Sequence, residues 1–452
     1  MSPPFSIPPS PSAPVTPSLG HSPGLHRTVL SNGITLVVLE NPLVDIVAAR
    51  LFMASGHALE TPANTGLMSF LMALLTKGTS RLTAAAIAET VESVGAHLST
   101  DAAADYSVIS LKTVSADFEA IFSLATELLR DPSFPEAEID LERRLTLQYL
   151  RSLQEQPFTV AFNQLRQQIY GNHPYALSGL GSETSLTALQ RPDLVAWHRQ
   201  QCRPDNLVIA MVGHLRPEAA VALVERTLGD WCCPQSPRPQ VSFPPITPGR
   251  PWAVVPQATK QAVVMVGYGA APVHDPGFAP LKLLNTHLGN GLSSRLFVEL
   301  REKRGLAYDV SALYPTRLGR SQFVAYIGTA PENTATALQG LRQELDRLRH
   351  YPLTEAELQT AKNKLLGQYA LGKQTNAQMA QLLGWYEVLG LGIGFDQRFQ
   401  DQVSAVTVAD TCAAAQAFFE RPFVTLLGPE AAVMAVEQTD GEATDHGEDC
   451  GD

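Results

Sequence analysis

The sequence predicts an α+β protein built from two homologous domains, each a mostly antiparallel sheet packed with helices. Three observations lead there: the length, a proline-rich break near the middle, and an internal duplication. At 452 residues the chain exceeds the size at which a single hydrophobic core keeps growing. The stretch "PQSPRPQVSFPPITPGRP" from Pro234 to Pro251 places seven prolines in eighteen residues, the composition of a semi-rigid, extended linker.

On either side of that break the same order of features recurs. "SLTALQRPDLVAWHRQQCRPDNLVIAMVG" (Ser185 to Gly213) and "VSAVTVADTCAAAQAFFERPFVTLLG" (Val403 to Gly428) share a short turn and an Asp, Asp193 or Asp410. A helix, a Pro (Pro204, Pro422), an apolar strand and a Gly follow in both. Each Asp stands where a helix N-terminus gains from a cap or a negative charge. "TSRLTAAAIAETVESVGAHLST" and "SSRLFVELREKRGLAYDVSA" are parallel in the same way, a helix leading through a Gly turn (Gly95, Gly305) into a strand.

The elements follow from local pattern. "GITLVVLEN" near Leu36, "IVAARLFMASG" near Ala49, "YSVISLKTV" near Ile109 and "NLVIAMVG" supply first-half strands. "AVVMVGYGA" near Val264, "SQFVAYIGTA" near Val324 and "FVTLLG" supply those of the second half. Their nearly unbroken apolar runs suit strands covered by helices, expected on one face of each sheet. "TGLMSFLMALLTKGT", Thr65 to Thr79, reads as one apolar helix closed by Lys77 and Gly78. The resulting division is a disordered Pro-rich arm over residues 1–24, an N-terminal domain over 25–233, the linker over 234–251, a C-terminal domain over 252–432 and a disordered acidic tail over 433–452.

Composition excludes several functions. The net charge is −11, but seven acids and no Lys or Arg fall in the last sixteen residues, so the remainder carries only −4. A nucleic-acid binder would show a basic stripe instead. Five cysteines, Cys202, Cys232, Cys233, Cys412 and Cys450, show neither C-x-x-C spacing nor an even count, which favours a reducing compartment. No apolar run is long enough to span a bilayer, and the proline-rich N-terminus has no secretory h-region. The cytoplasm is the expected location.

Spacing alone offers little catalytic machinery. The eleven histidines include no pair at i, i+3 or i, i+4, and zinc sites on helices commonly need one. Lone His57, His97, His198 and His287 read as surface or interior residues. "GNGLSSRLF" (Gly289 to Phe297) lacks the Lys of a P-loop, and no G-x-S-x-G elbow occurs.

Several segments in order along residues 25 to 430 carry a resemblance: "LSNGITLVVLEN", "GLMSFLMALLTKGTSRLT", "HPYALSGLGSETSLTALQRPDLVAWHRQQCRPDNLVIAMVGH" and "SSRLFVELREKRGLAYDVSA". In these the chain resembles the insulinase/pitrilysin family of zinc metallopeptidases, and its processing-peptidase branch in particular. The resemblance implies a clam-shell chamber of which this chain forms half. Active members carry H-x-x-E-H in a helix reading approximately G-L-A-H-F-L-E-H-M-L-F-K-G-T, two His binding zinc and the Glu deprotonating its water. Aligned on "KGTSRLT", Ser69 stands at the first His, Met72 at the Glu and Ala73 at the second His. The third ligand of the family, a Glu in the helix that here reads "EIDLERRLTLQYLRS", falls at or beside Tyr149, with Glu142 one helical face earlier.

The second half departs less. Family members use an Arg and a Tyr seven residues apart to hold substrate against the zinc site, and "LREKRGLAYDV" supplies Arg301 and Tyr308. Leu292, Leu296 and Leu300 recur at helical spacing before Gly305, which predicts Arg301 near a helix C-terminus and Tyr308 on the next strand. From spacing alone these are a cation complementing a helix dipole and a strand aromatic. The resemblance implies substrate binding instead, a guanidinium fork for carbonyls and a phenol for an oxyanion. "HLGNGLSSR" stands where one processing-peptidase subunit has a longer glycine-rich segment that would touch substrate, although a helix-entry turn is the better account.

The function implied is a non-catalytic subunit that holds no metal. It pairs as a heterodimer with a homologous H-x-x-E-H chain carrying the zinc, and binds unfolded peptide. The alternative is a scaffold resembling the respiratory-complex core subunits, which would have no use for Arg301 and Tyr308. An independent peptidase with a relocated metal site lacks the His pair to build it.

Overall fold

The computed structural model describes residues 24–238, 241 and 243–438. The chain first forms β1 (Leu25–Val29), β2 (Thr35–Glu40), β3 (Ile46–Met53), α1 (Leu67–Leu74), α2 (Ala84–Glu92), β4 (His97–Ala102) and β5 (Ser107–Val114). Helices α3 (Phe118–Arg130), α4 (Glu136–Gln154), α5 (Pro157–Tyr170), α6 (Glu183–Ala188) and α7 (Arg191–Gln201) precede β6 (Leu207–Gly213) and α8 (Pro217–Leu228). The second half opens with β7 (Trp252–Pro256), β8 (Ala262–Ala270), α9 (Phe278–Gly289), the π-helix Phe297–Glu302, β9 (Asp309–Leu313) and β10 (Ser321–Thr329). It closes with α10 (Thr334–His350), α11 (Glu355–Leu371), α12 (Asn376–Val388), α13 (Phe395–Ala405), α14 (Val408–Phe418), β11 (Phe423–Gly428) and α15 (Glu430–Val436).

The duplication is a repeat of topology. One sheet has the order β1-β2-β6-β3-β5-β4 and the other β7-β11-β8-β10-β9. Apart from the extra β1, the second order reproduces the first strand for strand. In each sheet one pair is parallel, β2 with β6 and β7 with β11, and the rest are antiparallel. The predicted α+β architecture of two mostly antiparallel sheets with helices is what the chain adopts.

Helices close both faces of the first sheet. Leu36, Val38, Ala49, Leu51, Ile109 and Leu111 pack among α1, α3, α7 and α8 of their own half. Val37, Ala48, Phe52, Val108 and Ala210 point the other way and meet α12, which packs on β3 and β6. The exchange is reciprocal, because α5 of the first half packs on β8 and β11 of the second. Glycine permits both crossings. A Cβ on Gly384 of α12 would lie 2.3 Å from the Phe52 ring, and one on Gly267 of β8 would lie 2.9 Å from Ile169 and Leu165 of α5. Polar bonds fix each crossing. The Asn376 amide donates to the Ile46 carbonyl at 2.8 Å, and that of buried Gln168 to the Arg250 carbonyl at 2.9 Å.

Two expectations need correction. Helices were expected on one face of each sheet, but a strand buried on both faces is continuously apolar, and the second cover comes from the other half. Residues 433–436, expected to open the disordered tail, are instead helical, because α15 runs to Val436 with Val433 and Val436 buried. The remainder of that tail beyond Gln438, and the arm before Gly24, lie outside the described residues. In the proline-rich segment, Phe243 stacks on His173 at 5.5 Å between centroids and Thr247 bridges to Gly171, so these residues pack against the first half.

Candidate functional site

The helix where family zinc ligands would sit is held by a remote carboxylate. Gly66 opens α1 with φ of 89°, a backbone only glycine adopts readily, and a Cβ there would meet Gly181 at 2.6 Å. The first amides of a helix lack intrahelical partners. Here the buried Glu60 carboxylate accepts the Gly66 N–H at 2.8 Å and the Met68 N–H at 2.7 Å. The His57 imidazole fills the space beside it, with Nδ1 3.5 Å from Glu60 and Nε2 3.1 Å from the Ala102 carbonyl. The Thr100 hydroxyl donates to the Met72 carbonyl at 2.7 Å, tying α1 to the edge strand β4.

Three of the four positions that the resemblance aligns with the family's zinc motif meet in one cleft. Ser69, Ala73 and Tyr149, with Phe70, Glu142 and Leu145, line a depression of about 270 Å³ between α1 and α4. Met72 lies beneath it, buried in the apolar core. The Ser69 hydroxyl is 3.5 Å from His57 Nε2. Glu142 has Lys77 at 3.9 Å. This donor set does not fit zinc, which takes three or four imidazole, thiolate or carboxylate ligands. Among the described residues no cluster of three His, Cys, Asp or Glu could hold a metal.

The cleft is apolar at its mouth. Leu141, Leu145 and Tyr149, spaced four residues apart on α4, are 40%, 50% and 53% exposed. One face of the helix thus presents three large apolar side chains to solvent, as interaction surfaces do. Sequence reasoning did not single out Glu60, read His57 as a lone surface or interior residue, and took Tyr149 by itself without the stripe. The i, i+4 spacing was readable, but the same spacing ordinarily marks a core-facing stripe.

Arg301 lies in the last turn of the π-helix, where the Lys303 N–H donates to the Val298 carbonyl at 3.0 Å. Sequence spacing predicted an ordinary helix. The wider turn accompanies Leu300 reaching over Gly340 of α10, where a Cβ would stand 2.7 Å from the Leu300 side chain. Leu296 and Leu300 are buried as expected, whereas Leu292 is 76% exposed. Gly305, φ 64°, turns the chain, and Tyr308 precedes β9 with its N–H donating to the Gly328 carbonyl at 2.8 Å. The Arg301 guanidinium stands 5.0 Å from the Phe297 ring. Arg301 and Tyr308 both reach solvent, and among the described residues neither side chain has a hydrogen bond or ion pair.

Comparison with known proteins finds relatives along most of the chain. The family model described as Insulinase (Peptidase family M16) matches residues 35–183, and that described as Peptidase M16 inactive domain matches residues 188–365. An uncharacterized zinc protease of Mycobacterium leprae is 28% identical over 91% of this chain and 93% of its own. Another from Streptomyces coelicolor is 26% identical over 90% of each. Among solved structures, a peptidase M16 inactive domain from Pseudomonas fluorescens superposes with a TM-score of 0.83 at 25% identity, covering 90% of this chain and 98% of that one. A protease from Helicobacter pylori gives 0.84 at 21% identity, covering 90% and 100%, a likeness of fold. With matched models over both halves and the repeated topology between them, the chain belongs to the insulinase family, peptidase family M16.

Proposed function

We propose that this chain is the non-catalytic, substrate-binding subunit of a heterodimeric zinc metallopeptidase acting on unfolded peptides. Zinc belongs to a homologous partner with an intact H-x-x-E-H helix, and this chain supplies Arg301 and Tyr308 to that active site. The observation that carries the reading is a contrast within one molecule. The four positions that the resemblance aligns with the zinc motif hold residues unsuited to the metal, while Arg301 and Tyr308 are exposed and neither has a hydrogen bond or ion pair among the described residues.

The chemistry asked of the pair needs no metal in this chain. A guanidinium presents fixed donors to peptide carbonyls, and a phenol donates to the oxyanion that forms as the scissile carbonyl is attacked. Neither group activates water. Hydrolysis by the isolated chain is therefore not expected. The exposed apolar stripe of α4 supports a surface that another chain or a peptide covers. Location in the cytoplasm fits the exposed Cys232 and Cys233 thiols, and no described helix is long and apolar enough to cross a membrane.

A scaffold role is the rival, and one assay separates the two. Peptide cleavage is measured for this chain, for an H-x-x-E-H homologue from the same genome, and for their mixture. A mixture no more active than the homologue alone overturns the proposal.

A further inference from the structure

A second cleft, of about 310 Å³, lies in the C-terminal half between α9, the π-helix and α11. His287, Ser293, Arg295, Glu299, Glu357 and Lys364 are among its polar lining residues. Half of these groups are already matched. Arg295 is paired with Glu344 and stands 3.9 Å from Glu299, and Glu299 also pairs with Lys303 at 2.8 Å. The Glu357 carboxylate accepts the N–H and hydroxyl of Thr354, at 2.8 and 2.9 Å, capping α11.

What remains unmatched can act together in one chemical sense. Lys364 has no ion pair or hydrogen bond among the described residues, and neither does the Ser293 hydroxyl. His287 Nε2 is buried without a partner, an omission that costs free energy unless something fills it. All three groups can donate, and both carboxylates in the cleft are committed. The complementary ligand is therefore rich in acceptors.

The rim is built to admit such a ligand. Gly291, φ 81°, passes so close to Lys364 that a Cβ there would lie 3.3 Å from its Nζ. The Asn290 amide donates to the Gln368 side-chain carbonyl at 2.5 Å, fastening the loop to α11. Burial pulls the Lys364 ammonium below its ordinary value, a desolvation cost that a bound anion offsets.

We propose that this cleft binds an oxyanion, a carboxylate or phosphate group, received by Lys364, Ser293 and His287. The inference rests on these groups and not on the peptidase reading. Two sources offer the same chemistry, a free small anion or the carboxylate terminus of a peptide.

The test is calorimetric titration of the full chain with inorganic phosphate at constant ionic strength, paired with NMR titration of the His287 imidazole. Phosphate should bind with measurable heat and move the imidazole titration upward. Lys364→Met should weaken binding by about tenfold or more, the loss expected for one charge-assisted hydrogen bond. Ser293→Ala, on the loop, should weaken it less. A short peptide with a free carboxylate that binds better than its C-terminal amide, and that phosphate displaces, assigns the site to peptide termini. Phosphate binding with no difference between the two peptides assigns it to free anions. Absence of phosphate binding, or equal affinity in wild type and Lys364→Met, overturns the proposal.

Discussion

Ser69 on α1 and Tyr149 on α4 line the same cleft, although eighty residues separate them in sequence. The family resemblance aligns these positions with a first and a third zinc ligand, in the register set by "KGTSRLT". Replacing all four positions, Ser69→His, Met72→Glu, Ala73→His and Tyr149→Glu, should then take bound zinc from none to one equivalent, read by elemental analysis after dialysis. A folded quadruple variant that holds no zinc would contradict the register. Met72→Glu buries a carboxylate, so reduced stability without metal is expected.

The reciprocal exchange of α5 and α12 makes each sheet depend on the other half. Gly384→Ala should therefore destabilise the protein by about 1 to 3 kcal/mol, the usual cost of overpacking, because the added methyl meets the Phe52 ring and α12 cannot retreat without opening that face. Urea denaturation followed by tryptophan fluorescence and by far-ultraviolet circular dichroism checks this. An unchanged midpoint would mean that the α12 contact contributes little.

Glu60 gives a separate prediction on the first half. Its carboxylate satisfies two helix amides from a buried position. Glu60→Ala leaves both without an acceptor and should cost about 3 kcal/mol, by analogy with charged hydrogen bonds. Hydrogen exchange at Gly66 and Met68 should accelerate most.

Burial holds the His287 imidazole down at about 4, aided by Arg295, Arg347 and Lys364 and opposed by Glu357. The folded chain thus refuses a proton that the unfolded chain accepts below the ordinary value of 6.5. Stability from this group is fully present above pH 6.5 and lost as pH falls toward 4. Its share is up to about 3 kcal/mol. His287→Asn should flatten the stability profile over that window, measured by urea denaturation from pH 7 to 4.5. A profile as steep as wild type would contradict the assignment.

Much of the fold was legible because it is periodic and local. The strands around Leu36, Ala49, Ile109, Val264 and Val324 announce themselves as apolar runs, and the duplicated Asp, Pro and Gly signals fix their order. The exchange of α5 and α12 was not legible. Helix α12, "NAQMAQLLGWYEV", is largely apolar with no single stripe, which reports burial without saying against what. The π-turn at Arg301 places Leu300 over Gly340, a contact forty residues away in sequence. At the site, loss of the zinc motif was readable from residue identity. The Glu60 cap and the second cleft arise from side chains that only the folded chain brings together.

The most direct test of the central claim is the peptidase activity of the reconstituted pair, with Arg301→Ala and Tyr308→Phe in this chain. The mixture with wild type should exceed the partner alone; Tyr308→Phe should lower kcat by about 100-fold, as loss of an oxyanion donor does, and Arg301→Ala, which removes donors to peptide carbonyls, should raise KM. Wild-type rates in both variant mixtures, or peptide cleavage by this chain alone, would contradict it.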